Sequence, residues 1–87
     1  MATVYIPSLL RDLTGGRDTV NAAGRTVRQI IEDLEARFPG IRQRLCDGES
    51  LRPGIAVAVD GELATRGLLQ SVDHQSEVHF LPAISGG

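Results

Sequence analysis

A small α+β roll, with a mixed sheet of four to five strands packed on one main helix, is the fold class this sequence predicts. Three observations carry the prediction. The stretch Val27–Phe38 places apolar residues at helical spacing on one side only. Short segments before and after it alternate apolar and polar residues, the signature of half-buried strands. The resulting order is strand, strand, helix, strand, strand, and a single amphipathic helix has to bury its stripe against the sheet.

The first strand is "TVYIP", Thr3–Pro7, with Val4 and Ile6 on one face and Thr3 and Tyr5 on the other. "SLLRDLTGG" follows as an irregular stretch in which Leu9, Leu10 and Leu13 cover one side of a turn, closed by Gly15-Gly16. "RDTVNAAG" is a second strand, pairing with the first as a hairpin. Thr26 and Gln29 then form a capping box, in which each side chain serves the other's backbone N–H. Behind it, Val27, Ile30, Ile31, Leu34 and Phe38 make the apolar stripe, and Pro39-Gly40 ends the helix. Arg28, Glu32, Asp33, Glu35 and Arg37 read as a solvated helix face. Ile41 and Leu45 point inward from a short helical turn. "IAVAVDGE" sets Ile55, Val57 and Val59 against Ala56 and Ala58, and Asp60-Gly61 supplies a hairpin turn. The last strand holds Val78 and Phe80 on one face and His79 and Leu81 on the other, with pairing weakening at Pro82. The two terminal strands side by side in the middle of the sheet would suit this order.

Composition narrows the function classes. The 87 residues suffice for one domain. A hydrophobic content of 41% with 23% charge predicts a folded, water-soluble, cytoplasmic protein rather than a disordered one. No apolar run reaches membrane-spanning length, so no membrane association is expected. A net charge of −2 argues against nucleic acid as a partner. All nine basic residues are arginine, so the chain offers no internal ε-amine as an acyl acceptor. Cys46 is the only cysteine, which excludes an intramolecular disulfide and multi-thiolate metal sites. It reads as a small hydrophobe.

Candidates for catalysis are thin. His74 lies in a polar turn and His79 on a strand, and neither has metal-ligand spacing, so no metal is expected. "TGGRDT" lacks the lysine and spacing of a phosphate loop. The residues therefore predict no catalytic site of the chain's own. What stands out is "FLPAISGG": a closing strand, a proline that restricts the backbone, and two glycines whose missing Cβ suits entry into a narrow partner site.

The opening strand with "LLRDLTG", the helix "TVRQIIEDLEARFPG", the turn "VAVDGE" and the ending "HFLPAISGG" together resemble the ThiS/MoaD family of ubiquitin-like sulfur carriers. The likeness covers essentially the whole chain. It implies a β-grasp domain over residues 1–83 and a flexible Gly-Gly tail over residues 84–87. It also implies that an E1-like partner, using ATP with magnesium, adenylates the carboxylate of Gly87. Sulfur from a donor protein then makes a C-terminal thiocarboxylate, which gives sulfide to an accepting synthase. Ala83, Ile84, Ser85 and Gly86 would enter the partner's site. No stably bound cofactor is implied, since the partner supplies the nucleotide and metal sites. The family often has an Asp-Gly-Asp-Glu-Val turn before the last strand; here "HQSEV", His74–Val78, keeps only the final Glu-Val.

"IPSLLRDLTGG" and "LPAISGG" look more like carriers serving cysteine or other thiol biosynthesis than like molybdopterin-synthase small subunits. The molybdopterin subunit stays as an alternative. Two further readings belong to other classes: a ubiquitin-like modifier conjugated through Gly87, and an interaction module whose glycines are only a loose end. Finally, if the large residues face the helix, the opposite sheet face shows Tyr5, Ala56, Ala58, His79 and Leu81. This small-residue floor is the candidate partner-docking face.

Overall fold

The computed structural model describes residues 1–82. The predicted tail, residues 84–87, and the domain boundary at residue 83 lie outside the described residues.

Strand β1 (Ala2–Tyr5) pairs antiparallel with β2 (Thr19–Ala22), with Val4 opposite Val20. Alternation decides the faces: Val4, Val20 and Ala22 are buried, whereas Thr19 and Asn21 are exposed. The chain leaves β1 one residue later than Tyr5, yet Ile6 remains buried and still donates its N–H to the Asp18 carbonyl at 2.8 Å. Pro7 then turns the chain into a 3₁₀ turn, Ser8–Leu10. Leu10 is buried there and Leu13 is packed against the core, while Leu9 is exposed. Arg44 fastens this loop from below, with a two-pronged ion pair to Asp12 at 2.9 and 3.0 Å and a bond to the Leu9 carbonyl. The same guanidinium holds the Asp12 carboxyl below its usual range.

Helix α1 (Val27–Arg37) starts where the cap predicts, with the Thr26 hydroxyl accepting from the Gln29 N–H at 3.2 Å. The reciprocal arm differs from the sequence expectation: the Gln29 side chain accepts from the Arg25 N–H instead, at 2.8 Å. Backbone bonds flank the same position. Val27 N–H donates to Gln70 and Val72 N–H to Arg25, so Thr26 is drawn into a bridge with Ser71. Val27, Ile30, Ile31 and Leu34 are fully buried, each worth about 1.5–3 kcal/mol. Phe38 sits at the end of the stripe, half-buried under the Arg37 guanidinium.

Three of the charged positions of α1, Asp33, Glu35 and Arg37, differ from a merely solvated face. Glu35 accepts from the Gly40 and Arg42 N–H groups, 3.1 and 2.9 Å away, and so caps the short helix α2 (Ile41–Leu45). Those bonds lower its carboxyl pKa. Asp33 reaches the Ala23 N–H at 3.0 Å. Ile41 and Leu45 are buried as expected. A two-residue hairpin, β3 (Cys46–Asp47) and β4 (Ser50–Leu51), follows, and burial pushes the Cys46 thiol pKa up.

Strand β5 (Ile55–Val59) turns into β6 (Glu62–Leu63) through Asp60 and Gly61, both at positive φ (53° and 85°). That is the backbone a two-residue hairpin matched to strand twist requires. A second 3₁₀ turn, Gly67–Leu69, brings Leu68 and later Val72 into the core. Strand β7 (Glu77–Pro82) closes the sheet. It runs parallel to β1 and antiparallel to β5, giving the order β2-β1-β7-β5-β6. The mixed five-stranded sheet on one main helix is the architecture that the sequence predicts. Where "HQSEV" departs from the family turn, Ser76 is buried: its hydroxyl donates to Asp60 at 2.8 Å and accepts from the Asp73 N–H at 2.9 Å. The Glu77 N–H also donates to Asp60, at 3.0 Å, and together these bonds lower the Asp60 pKa.

Candidate functional site

The face of the sheet turned away from α1 is organised by register. One rung crosses all five strands: Thr19, Tyr5, His79, Ala58 and Leu63 lie side by side. Along it, the Tyr5 and His79 rings stack with centroids 4.0 Å apart and planes within 6°. Such contact adds about 0.5–1.5 kcal/mol beyond area burial. Glu77, two residues back on β7, brings a carboxylate oxygen to 3.9 Å from His79 Nε2. One step toward the chain end, Leu81 lies opposite Ala56.

Of the five residues expected on a docking face, Leu81 is 37% exposed, and Tyr5, His79 and Ala56 are half-buried. Ala58 departs from the expectation: only 8% of it is exposed, because a methyl group between His79 and Leu63 sinks below its neighbours. The accessible apolar surface in that row belongs instead to Leu63, 65% exposed, a residue the sequence reading missed. The signal was present in Asp60-Gly61. A two-residue turn pairs Val59 with Glu62 and so sets Leu63 beside Ala58.

At the other end of β7 the two sides of the strand part company. Pairing with β5 continues to Pro82, which lies opposite Ile55, whereas pairing with β1 stops at His79. The cause is covalent. Thr3 N–H donates to the Ser76 carbonyl. Continued two such steps, that register would call on Pro7 to donate to the Phe80 carbonyl, and Pro7 has no N–H to give. Pro82 likewise lacks the N–H that would face β1, so it weakens pairing on one side only. A groove of about 370 Å³ opens there, between Tyr5–Pro7 and Phe80–Pro82, with Arg11, Asp18 and Thr19 completing its wall. Arg11 is held by a bond from Nε to the Ile6 carbonyl at 3.2 Å. Ala83, Ile84, Ser85, Gly86 and Gly87 lie outside the described residues. Among the described residues, no three His, Cys, Asp or Glu side chains converge as a metal site would require, and no helix is long and apolar enough to cross a membrane.

The ThiS family matches residues 4–87, nearly the whole chain. The chain belongs to the ThiS family. Among curated relatives, the sulfur carrier protein CysO of Mycobacterium tuberculosis is 39% identical over 90 residues, covering 98% of this chain and 97% of that protein. Its crystal structure superposes with a TM-score of 0.89 at 37% identity, over 97% of this chain and all of that one. A chain of the Amycolatopsis orientalis BexX/CysO complex matches at TM-score 0.91 and 42% identity, with full coverage of both. The small archaeal modifier protein SAMP1 of Haloferax volcanii is more distant, with a TM-score of 0.72 and 25% identity over 99% and 98% of the two chains. These likenesses bear out the family and the β-grasp fold read from the sequence.

Proposed function

We propose that this protein is a sulfur carrier of the CysO kind, loaded at the carboxylate of Gly87. The near-full-length likeness to CysO carries the reading, and the family match extends through residue 87. The chemistry follows from what a carboxylate lacks. Its carbon is a weak electrophile with no good leaving group, so an E1-like enzyme first joins it to the α-phosphate of ATP, with magnesium, and releases pyrophosphate. Sulfur delivered at the sulfide level by a donor protein then attacks the acyl carbon, the bond to AMP breaks, and the thiocarboxylate is left. That group passes its sulfur to a synthase of cysteine or related thiol biosynthesis. The chain is then a co-substrate with no catalytic centre of its own, working in the cytoplasm. The outer sheet face, with Tyr5, His79, Ala56, Leu81 and Leu63, is the surface on which these partners dock. Residues Ala83–Gly86 lead Gly87 into their active sites.

Intact-mass measurement on protein from its native cells, combined with a thiocarboxylate-selective reagent, tests the loading. A reagent adduct at Gly87 is the expected result. Unmodified carboxylate throughout, with an active E1-like enzyme present, would sink the proposal. The likeness to SAMP1 favours a second reading, conjugation of Gly87 to a target amine. It predicts high-mass adducts that survive thiol reductant and end at Gly87. Without lysine, such adducts cannot extend through lysine side chains of this chain.

A further inference from the structure

We propose that Asp33 and Arg37 are an edge guard, occupying the hydrogen-bonding positions on the open side of β2 that a second copy of this chain would otherwise take. Register shows which groups are at stake. Asp18 faces β1, since its carbonyl accepts from Ile6. Alternation then turns Thr19, Asn21 and Ala23 outward, on the side of β2 that has no neighbouring strand among the described residues. Such an edge is a template for strand addition.

Two side chains from α1 reach over it. The Arg37 guanidinium donates to the Asn21 carbonyl, and the Asp33 carboxylate accepts from the Ala23 N–H at 3.0 Å. Asp33 and Arg37 also bond to each other at 3.1 Å, one helical turn apart. A single residue of a parallel neighbouring strand would meet β2 in the same way, donating to one carbonyl and accepting from the N–H two residues on. The pair thus supplies the donor and acceptor of one strand residue, but no backbone to which the next could attach. The far edge needs no such device, because β6 is two residues long. Identical edges meeting about a two-fold axis pair antiparallel and call on the same Asn21 carbonyl and Ala23 N–H, which makes a second copy the natural occupant once the guard is removed.

The double substitution Asp33→Ala/Arg37→Ala in the full chain tests this, with circular dichroism to verify the fold and sedimentation velocity to follow mass. A concentration-dependent rise in mass relative to the unsubstituted chain is the expected result. Asp33→Asn/Arg37→Lys keeps an acceptor and a donor and should restore the original mass. In Asp33→Ala alone, at low concentration, the Ala23 amide should exchange about tenfold or more faster, the scale of one charge-assisted bond. A double variant that keeps its native spectrum and its original mass at every concentration overturns the proposal. If the double variant fails to fold, unchanged exchange at Ala23 in the single variant overturns it as well.

Discussion

Gly24 and Asp60 hold positions where a single atom decides the outcome. A Cβ on Gly24 would lie 2.8 Å from Gln29 Cβ and 2.9 Å from the Ile30 nitrogen, at φ +155°. Nothing at that contact is the loose end of a side chain, so the β2–α1 connection itself would have to move. Gly24→Ala should lower unfolding stability by about 1–3 kcal/mol, read as a shift in denaturant midpoint at constant slope. Asp60 is held instead by charge. Its carboxylate accepts from Ser76 and Glu77, which lowers its pKa below the ordinary value of 3.8. A depressed folded-state pKa stabilises the fold fully above the unfolded value and ceases to do so as pH falls through the folded one. Thermal melts from pH 5 downward should therefore show an acid limb that Asp60→Asn flattens. An equally steep limb in the variant would assign the loss to other carboxylates. Asn tolerates the positive φ of 53° at this turn, so the comparison keeps the backbone in place while removing the charge and one of the two accepting oxygens.

The elements were legible in the sequence to the extent that their cause was local. Thr26 opens α1 through its own hydroxyl, and the stripe from Val27 to Leu34 is buried because helical spacing puts those residues on one side. Asp60-Gly61 turns β5 into β6 because both residues accept positive φ. What stayed hidden was fixed at a distance. Glu35 caps α2 seven residues on, and Asp33 and Arg37 bond to backbone atoms of β2. A string of charges at solvent-facing helix positions carries no mark of such partners. Leu68 and Val72 enter the core from a stretch whose path is set by bonds to Arg25 and Val27, not by any period of its own. On the outer face the alternation placed Tyr5, His79 and Leu81 together, but it did not show that Ala58 would be covered. Leu81→Asp tests that face at the level of the strand. Stability should move by no more than about 0.5 kcal/mol, since the side chain is exposed. Partner affinity, measured by calorimetry with the E1-like enzyme, should fall about tenfold or more. Unchanged affinity would remove the face from the docking proposal.

For the whole molecule, the proposed function separates the described domain from the group it presents. The core from Ala2 to Phe80 forms one cluster under α1, and Leu81 and Pro82 already stand exposed beyond it. Deletion of Gly87 should abolish activation while leaving the melting temperature within about 1 °C, the range expected when stability hardly changes. A collapse of the fold would make the tail part of the structure instead. The central position of β7 has a mechanical consequence. It is flanked by β1 and β5, so a partner pulling on the chain beyond Pro82 loads the strand along its own length. Bonds lying across that direction on both sides then resist together, in shear, rather than opening one at a time as they would on an edge strand. Under the proposed loading at Gly87, an activating enzyme that draws on the end of this chain would be resisted by a central strand paired on both sides.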